Sequence, residues 1–224
     1  MRLAEPDSIF RQWPQTERPT YRAIQRGPAS LTDAEVIAVL LRTGTGGQSA
    51  LDAARDMIQE GGSLLAVVTR ASGIPSEKTA RIAASLELAR RVLREQLSIA
   101  NALSSPRAVK DYLRLALAGR EHEVFVVLLL DAQHRVIAIE ELFRGTLTQT
   151  SVYPREVVKI ALRHNAAALI FAHNHPSGVA EPSQADELLT RTLKQALSLV
   201  DVQTLDHFIV AGGATTSFAE RGLL

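Results

Sequence analysis

The sequence predicts an α+β protein, that is, an α/β arrangement in which a mixed β-sheet is flanked by helices and preceded by a small all-helical domain. Three observations carry this expectation. Val124-Phe125-Val126-Val127-Leu128-Leu129-Leu130 and the stretch Ala166 to Ala172 are apolar runs too short for buried helices and read as buried strands. Residues 153–163, just before the second run, and the stretch after Ser183 space their apolar residues as helices do. From residue 23 to 97 the periodicity is helical.

Residues 1–22, with Pro6, Pro14 and Pro19, are expected to form an irregular lead-in, with Trp13 docking on the body of the protein. The helical domain then spans 23–97. Thr32 or Ser30 can cap a first helix whose apolar stripe is Ala34, Val36, Ile37, Leu40 and Leu41. Gly44-Thr45-Gly46-Gly47 ends it; without a preceding strand or a following Gly-Lys-Ser/Thr, these glycines make a turn rather than a phosphate loop. A second helix runs through Leu51, Ala54, Met57 and Ile58 to Gly61-Gly62, a short third covers Leu64 to Thr69, and a fourth passes through Ile82, Leu86, Leu88, Ala89 and Val92.

After Leu97 the periodicity is expected to lapse, making 98–106 a linker and 107–224 a second domain. Arg107 to Leu117 reads as a helix closed by Gly119, and the apolar run at 124–130 as a central strand. Asp131-Ala132-Gln133-His134 is a turn, and residues 135–140 its hairpin partner. Tyr153 to Arg163 is helical, and a final strand is expected from Thr204 to Val210.

Composition excludes several classes. A net charge of +1 provides no electrostatic case for a nucleic-acid or membrane partner. The chain has no Cys, so neither a disulfide framework nor thiolate-ligated zinc is available, and any zinc must use His and carboxylate ligands. No apolar run reaches membrane-spanning length, and charges interrupt the N-terminal stretch where a signal-peptide core would lie, so a cytoplasmic location is expected.

The chemistry concentrates in His173-Asn174-His175-Pro176-Ser177-Gly178, followed by Pro182-Ser183-Gln184-Ala185-Asp186. Side chains alternate along a strand, so His173 and His175 project from one face, as two ligands of one ion must. Asp186 can supply an oxygen ligand; two His and one carboxylate leave the fourth position of tetrahedral zinc open, which is the arrangement of catalysis. Ser183-x-x-Asp186, ahead of Leu188, Leu189, Leu193 and Leu197, is also a capping box, and the two readings are compatible.

His173-x-His175, seven intervening residues, Ser183, two more and Asp186 reproduce the JAMM (MPN+, JAB-type) metalloprotease motif. With Gly145-Thr146-Leu147, Val152-Tyr153-Pro154-Arg155-Glu156, Asn165-Ala166-Ala167-Ala168, Leu205-Asp206-His207 and Ser217-Phe218, the chain resembles the bacterial RadC family (UPF0758), most strongly over about 105–224. The resemblance implies a JAB/MPN, cytidine-deaminase-like fold and Zn2+ held by His173, His175 and Asp186. It further implies that Ser183 donates a hydrogen bond near the reacting centre. It points to Glu123, at the head of the first core strand, as general base, with Glu140 and Glu141 as rivals. Asp206 or His207 could orient a ligand imidazole. In RadC-like proteins the place of Gly73-Ile74-Pro75-Ser76-Glu77-Lys78 resembles a helix-hairpin-helix element, but Pro75 lacks an N–H and Ser76 stands where a second Gly is expected. A helical packing or partner-docking module is therefore favoured over DNA binding, Arg90, Arg91 and Arg94 reading as a solvated helix face.

The function expected is zinc-dependent hydrolysis of a peptide or isopeptide bond in a protein or peptide substrate. Two alternatives are a metal-dependent DNA phosphodiesterase, which usually needs a second metal, and a DNA-repair-associated adaptor, which needs no open zinc position. A deaminase is disfavoured because its Cys ligands and His-x-Glu signature are missing.

Overall fold

The computed structural model describes residues 13–44, 48–71, 76–99, 101–102, 106–117, 119–144 and 152–224. Thr45 to Gly47, Gly73 to Pro75, Ser104-Ser105 and Gly145-Thr146-Leu147, all singled out in the sequence, lie outside these residues. The chain forms two compact units, Met1–Leu88 and Ala89–Leu224.

In the first unit, α1 (Pro19–Arg26), α2 (Asp33–Leu41), α3 (Ala50–Gly61), α4 (Leu64–Ala71) and the start of α5 (Glu77–Ile99) are helical. Part of the expected irregular lead-in is therefore helix. Proline at the first position of α1 has no hydrogen bond to lose there and its φ is already helical. Ser49 caps α3, accepting from the Asp52 N–H at 3.1 Å, and Gly62 ends it in the left-handed conformation at φ 71°. The core gathers Ile37, Ala38, Leu41, Ala50, Leu51, Ala54, Val67 and Ile82, with Trp13 packed against it.

The helix expected to end at Leu97 continues to Ile99, two residues into the expected linker. Leu97 is buried in the core of the second unit, and Ser98 returns its hydroxyl to the Glu95 carbonyl at 2.7 Å, so its polarity is satisfied inside the helix.

The second unit holds α6 (Pro106–Leu117), β1 (Val124–Leu130), β2 (Val136–Arg144), α7 (Pro154–Arg163), β3 (Ala168–Asn174), α8 (Gln184–Ser198), β4 (Gln203–Ala211) and β5 (Ala214–Ser217). The sheet order is β2-β1-β3-β4-β5. Among the described residues only the β3–β4 pair is parallel, joined through α8; β1 pairs antiparallel with β2 and β3, and β4 with β5. β2 extends four residues beyond the expected hairpin partner, and β5 was not anticipated. β3 begins two residues later than expected because Asn165, at φ 52°, turns the chain and the Ala166 N–H closes back on the Ala161 carbonyl at 2.9 Å.

Alternation sorts the strands into two faces. Val124, Val126, Leu128, Leu130, Ala168, Ile170 and Ala172 pack with Val109, Leu113 and Leu117 of α6. Phe125, Val127, Leu129, Leu169 and Phe171 pack with Val157 and Ala161 of α7 and Leu193 and Leu197 of α8. Leu193 and Leu197 are fully buried and anchor α8; truncating a residue so placed costs about 2–5 kcal/mol. Leu188, expected in the same stripe, is 61% exposed. The inward line of α8 is instead Asp186, Thr190, Leu193 and Leu197, so its first turns present polar groups to the sheet.

Candidate metal centre

His173 is on the face of β3 that α7 and α8 cover, near the strand's end and in line with Phe171. His175 lies just past the strand, where its N–H still reaches the Val210 carbonyl of β4 at 3.0 Å. That extra hydrogen bond prolongs the strand's alternation and turns His175 to the same side. The two Nε2 atoms come within 2.9 Å.

Asp186 arrives from the first turn of α8. Ser183 caps that helix reciprocally: its hydroxyl accepts from the Asp186 N–H at 3.2 Å, while its own N–H and O–H donate to Asp186 Oδ2 at 2.8 and 2.6 Å. Asp186 Oδ1 lies 3.2 Å from His173 Nε2, and Oδ2 lies 3.5 Å from His175 Nε2. Burial pushes the Asp186 carboxyl up, but the adjoining imidazoles of His173 and His175, which stabilise its charge when they carry a proton toward it, and the Ser183 hydrogen bonds outweigh it and hold the group well below the usual carboxylate range. The intervening loop is tied on both sides. Glu181 pairs with Arg221 at 2.8 Å, and a Cβ on Gly212, at φ +54°, would sit 3.1 Å from the Gly178 carbonyl oxygen.

One ligand atom from each of His173, His175 and Asp186 lies within 4.8 Å of the others, a group that could hold a metal ion. The donor set fits a tetrahedral cation. Zinc bound at about 2.0–2.1 Å separates its ligand atoms by about 3.3 Å; here the two imidazole nitrogens are 2.9 Å apart, and His173 Nε2 is 3.2 Å from Asp186 Oδ1. His175 holds its Nδ1 against the Val179 carbonyl at 2.8 Å; a carbonyl only accepts, so Nδ1 carries the proton and the neutral ring's Nε2 is a bare lone pair. That lone pair faces a carboxylate and a second imidazole, an assembly that a cation satisfies.

The RadC-like JAB domain family model matches residues 103–223, and the UPF0758 N-terminal model matches residues 10–78. UPF0758 proteins of Nitrosomonas eutropha and Thiobacillus denitrificans are 57% and 58% identical to this chain over 219 and 222 residues, covering 95% and 96% of it and 98% and 99% of the relatives. A UPF0758 protein of Aromatoleum aromaticum is 59% identical over 220 residues, 95% of this chain and 98% of the relative. The chain belongs to the RadC (UPF0758) family.

Within this RadC-family fold, β1 and β3 pair with Phe125 opposite His173. Glu123 lies just outside β1, two residues before Phe125, and is half-buried. A second proton on the His175 ring, at Nε2, would donate to Asp186, and chiefly for that reason its imidazole is held above its ordinary value, with a contribution from the Glu123 charge. Glu140 instead meets His164 at 3.1 Å and Arg163 at 3.8 Å, at the far end of α7. Glu141 pairs with Arg120 at 3.7 Å and sits opposite Val126, whose side chain belongs to the α6 face.

Asp206 does not reach the group. Its carboxylate accepts from the His207 and Ala219 N–H groups and the Ser217 hydroxyl, at 2.7, 3.0 and 2.6 Å, and fastens the turn after β5. His207 does reach it, with Nε2 2.8 Å from His173 Nδ1. It is fully buried, and burial holds its imidazole well below the ordinary value.

Two participants escaped sequence reasoning. Asn174, read only as a spacer, points to the opposite face: its Oδ1 accepts from the Val124 N–H at 2.8 Å and its amide donates to the His122 carbonyl at 3.1 Å, gripping the backbone on both sides of Glu123. Thr190 bridges His207 and the Asp186 carbonyl, at 2.6 Å to each. Its signal was a polar residue on the buried line of α8. Among the described residues, no helix is long and apolar enough to cross a membrane.

Proposed function

We propose that this RadC-family protein is a zinc-dependent hydrolase of peptide or isopeptide bonds, with a protein or peptide as substrate. The observation that carries the reading is the convergence of His173, His175 and Asp186 on one point at the end of β3. Bound there, zinc supplies Lewis-acid polarisation of the scissile carbonyl and acidifies the attacking water.

The chain's own groups do the rest. Glu123 takes the proton of the attacking water and returns it to the leaving amine, a role that suits a half-buried carboxylate whose charge acts on His175 and which is not itself in the ligand group. Glu140 and Glu141 are occupied elsewhere by His164, Arg163 and Arg120. Asn174 holds Glu123 in place through the backbone of His122 and Val124. Ser183 spends its hydroxyl proton on Asp186 Oδ2, so Oδ1, 3.2 Å from His173 Nε2, is the oxygen that would hold an ion. To donate to a developing oxyanion it must swing off that carboxylate, so its first role is to orient Asp186.

Elemental analysis and peptide-library hydrolysis test the reading. The parent should carry about one zinc per chain, and Glu123→Gln should keep the zinc while losing about 10²–10⁴-fold in rate. A parent that stays metal-free after incubation with zinc would sink the proposal, and a Glu123→Gln enzyme as fast as the parent would sink the choice of base.

A further inference from the structure

We propose that Thr190 and His207 set the tautomer of His173, so that a lone pair on Nε2, and not an N–H, faces Asp186 and His175. The proposal rests on the reading of that group as a metal site, and extends it to two residues outside the ligand set.

Proton counting carries the inference. Thr190 Oγ1 has one proton and lies 2.6 Å from the Asp186 carbonyl oxygen, which can only accept, so the proton is spent there. The same Oγ1 lies 2.6 Å from His207 Nδ1 and can only accept from it, so Nδ1 carries a hydrogen. His207 is walled by Phe125, Phe171 and Phe218, with ring centroids 5.5, 5.9 and 4.7 Å away, surroundings in which an imidazolium is costly. A neutral ring protonated at Nδ1 has a bare Nε2. That Nε2 lies 2.8 Å from His173 Nδ1, so His173 donates there and its own Nε2 is left unprotonated.

The relay therefore begins and ends at one residue. It starts on the Asp186 backbone carbonyl and finishes at the imidazole nitrogen 3.2 Å from the Asp186 carboxylate. The first turn of α8 thus presents the carboxylate and also arranges the imidazole that shares the ion with it. His175 reaches the same tautomer in one step through the Val179 carbonyl, whereas His173, buried beneath, reaches it through His207. Groups that hold the second nitrogen of a ligating imidazole are typically worth about 10–100-fold in metal affinity.

Long-range 1H–15N correlation spectra of the zinc-free protein read the tautomers directly. Protonation of both His173 and His207 at Nδ1 is expected, and a His173 ring protonated at Nε2 overturns the proposal. Zinc affinity of the full chain provides the second arm. Thr190→Val, nearly isosteric, should bind zinc about 10–100-fold more weakly than the parent. Thr190→Ser, which keeps the hydroxyl, should bind close to parental strength with parental tautomers. Parental affinity in Thr190→Val overturns the relay, as does a loss in Thr190→Ser equal to that in Thr190→Val, which would mark packing as the cause. A parent that binds no zinc defeats the metal reading alone, and the imidazole spectra still decide the relay.

Discussion

Two helices of this protein start with the same local device and put it to different uses. At the head of α2, Thr32 accepts from the Glu35 N–H while the Glu35 carboxylate takes the Thr32 N–H at 2.9 Å; at the head of α8, Ser183 and Asp186 do the same at 2.8 Å. Both carboxylates are buried, at 7% and 8% exposure. A buried carboxylate needs a cation or several donors. Glu35 has its cation within the chain: Arg22 bonds it at 2.6 Å and spends its other arm on the Ser30 carbonyl, also at 2.6 Å. Asp186 meets two imidazole nitrogens instead. The box only starts a helix; what faces the carboxylate decides whether it closes a core or builds a site.

The sharpest way to break that likeness is to remove one negative charge from each box. Asp186→Asn keeps an oxygen for the cap, so the helix should survive, while zinc content should fall from about one per chain to near zero by elemental analysis. Retention of full zinc would remove Asp186 from the ligand set. Glu35→Gln should leave zinc content untouched and lower unfolding free energy by about 2 kcal/mol in denaturant titrations, the scale of a hydrogen bond to a charged group.

Acid should separate the same pair. Burial pushes the Glu35 carboxyl up, but Thr32 and Arg22 more than offset it and hold the group below its ordinary value of 4.5. A lowered folded value means the stabilisation is present above 4.5 and is lost as pH falls through the folded value. Glu35→Gln should therefore flatten the acid limb of stability against pH; an unchanged limb would show that the Arg22 pair contributes nothing. The smallest effect expected is common to both boxes. Thr32→Ala and Ser183→Ala should each cost about 1 kcal/mol as lost caps, but only Ser183→Ala should weaken zinc binding, because only Ser183 orients a ligand. Equal zinc affinity in the two variants would reduce Ser183 to a cap.

The strands and helices that carry the site were legible because their signals are local. The seven-residue apolar run of β1 matches the observed strand at both ends, and the Ser183 cap starts α8 where the spacing put it. Boundaries drifted where a tertiary contact overrode a local signal, as at Ser98, whose loop-like chemistry is absorbed by the helix that buries Leu97. β5 was missed because Ala214-Thr215-Thr216-Ser217 carries little apolar signal and becomes a strand through its pairing with β4.

By itself the sequence determined the three converging side chains, since strand alternation puts His173 and His175 on one face and a capping box holds Asp186 at a helix start. Tertiary structure alone decided the supporting roles. Parallel pairing of β4 with β3 aligns His207 beside Phe171 and within reach of His173, although 34 residues separate the two histidines. The antiparallel register of β1 and β3 sets Phe125 opposite His173, with Glu123 two residues before it, and the β1–β2 register sets Glu141 opposite Val126 on the other face. The division follows from range: alternation and capping act over two to four residues and are written in spacing, whereas strand register is set by the burial of whole faces.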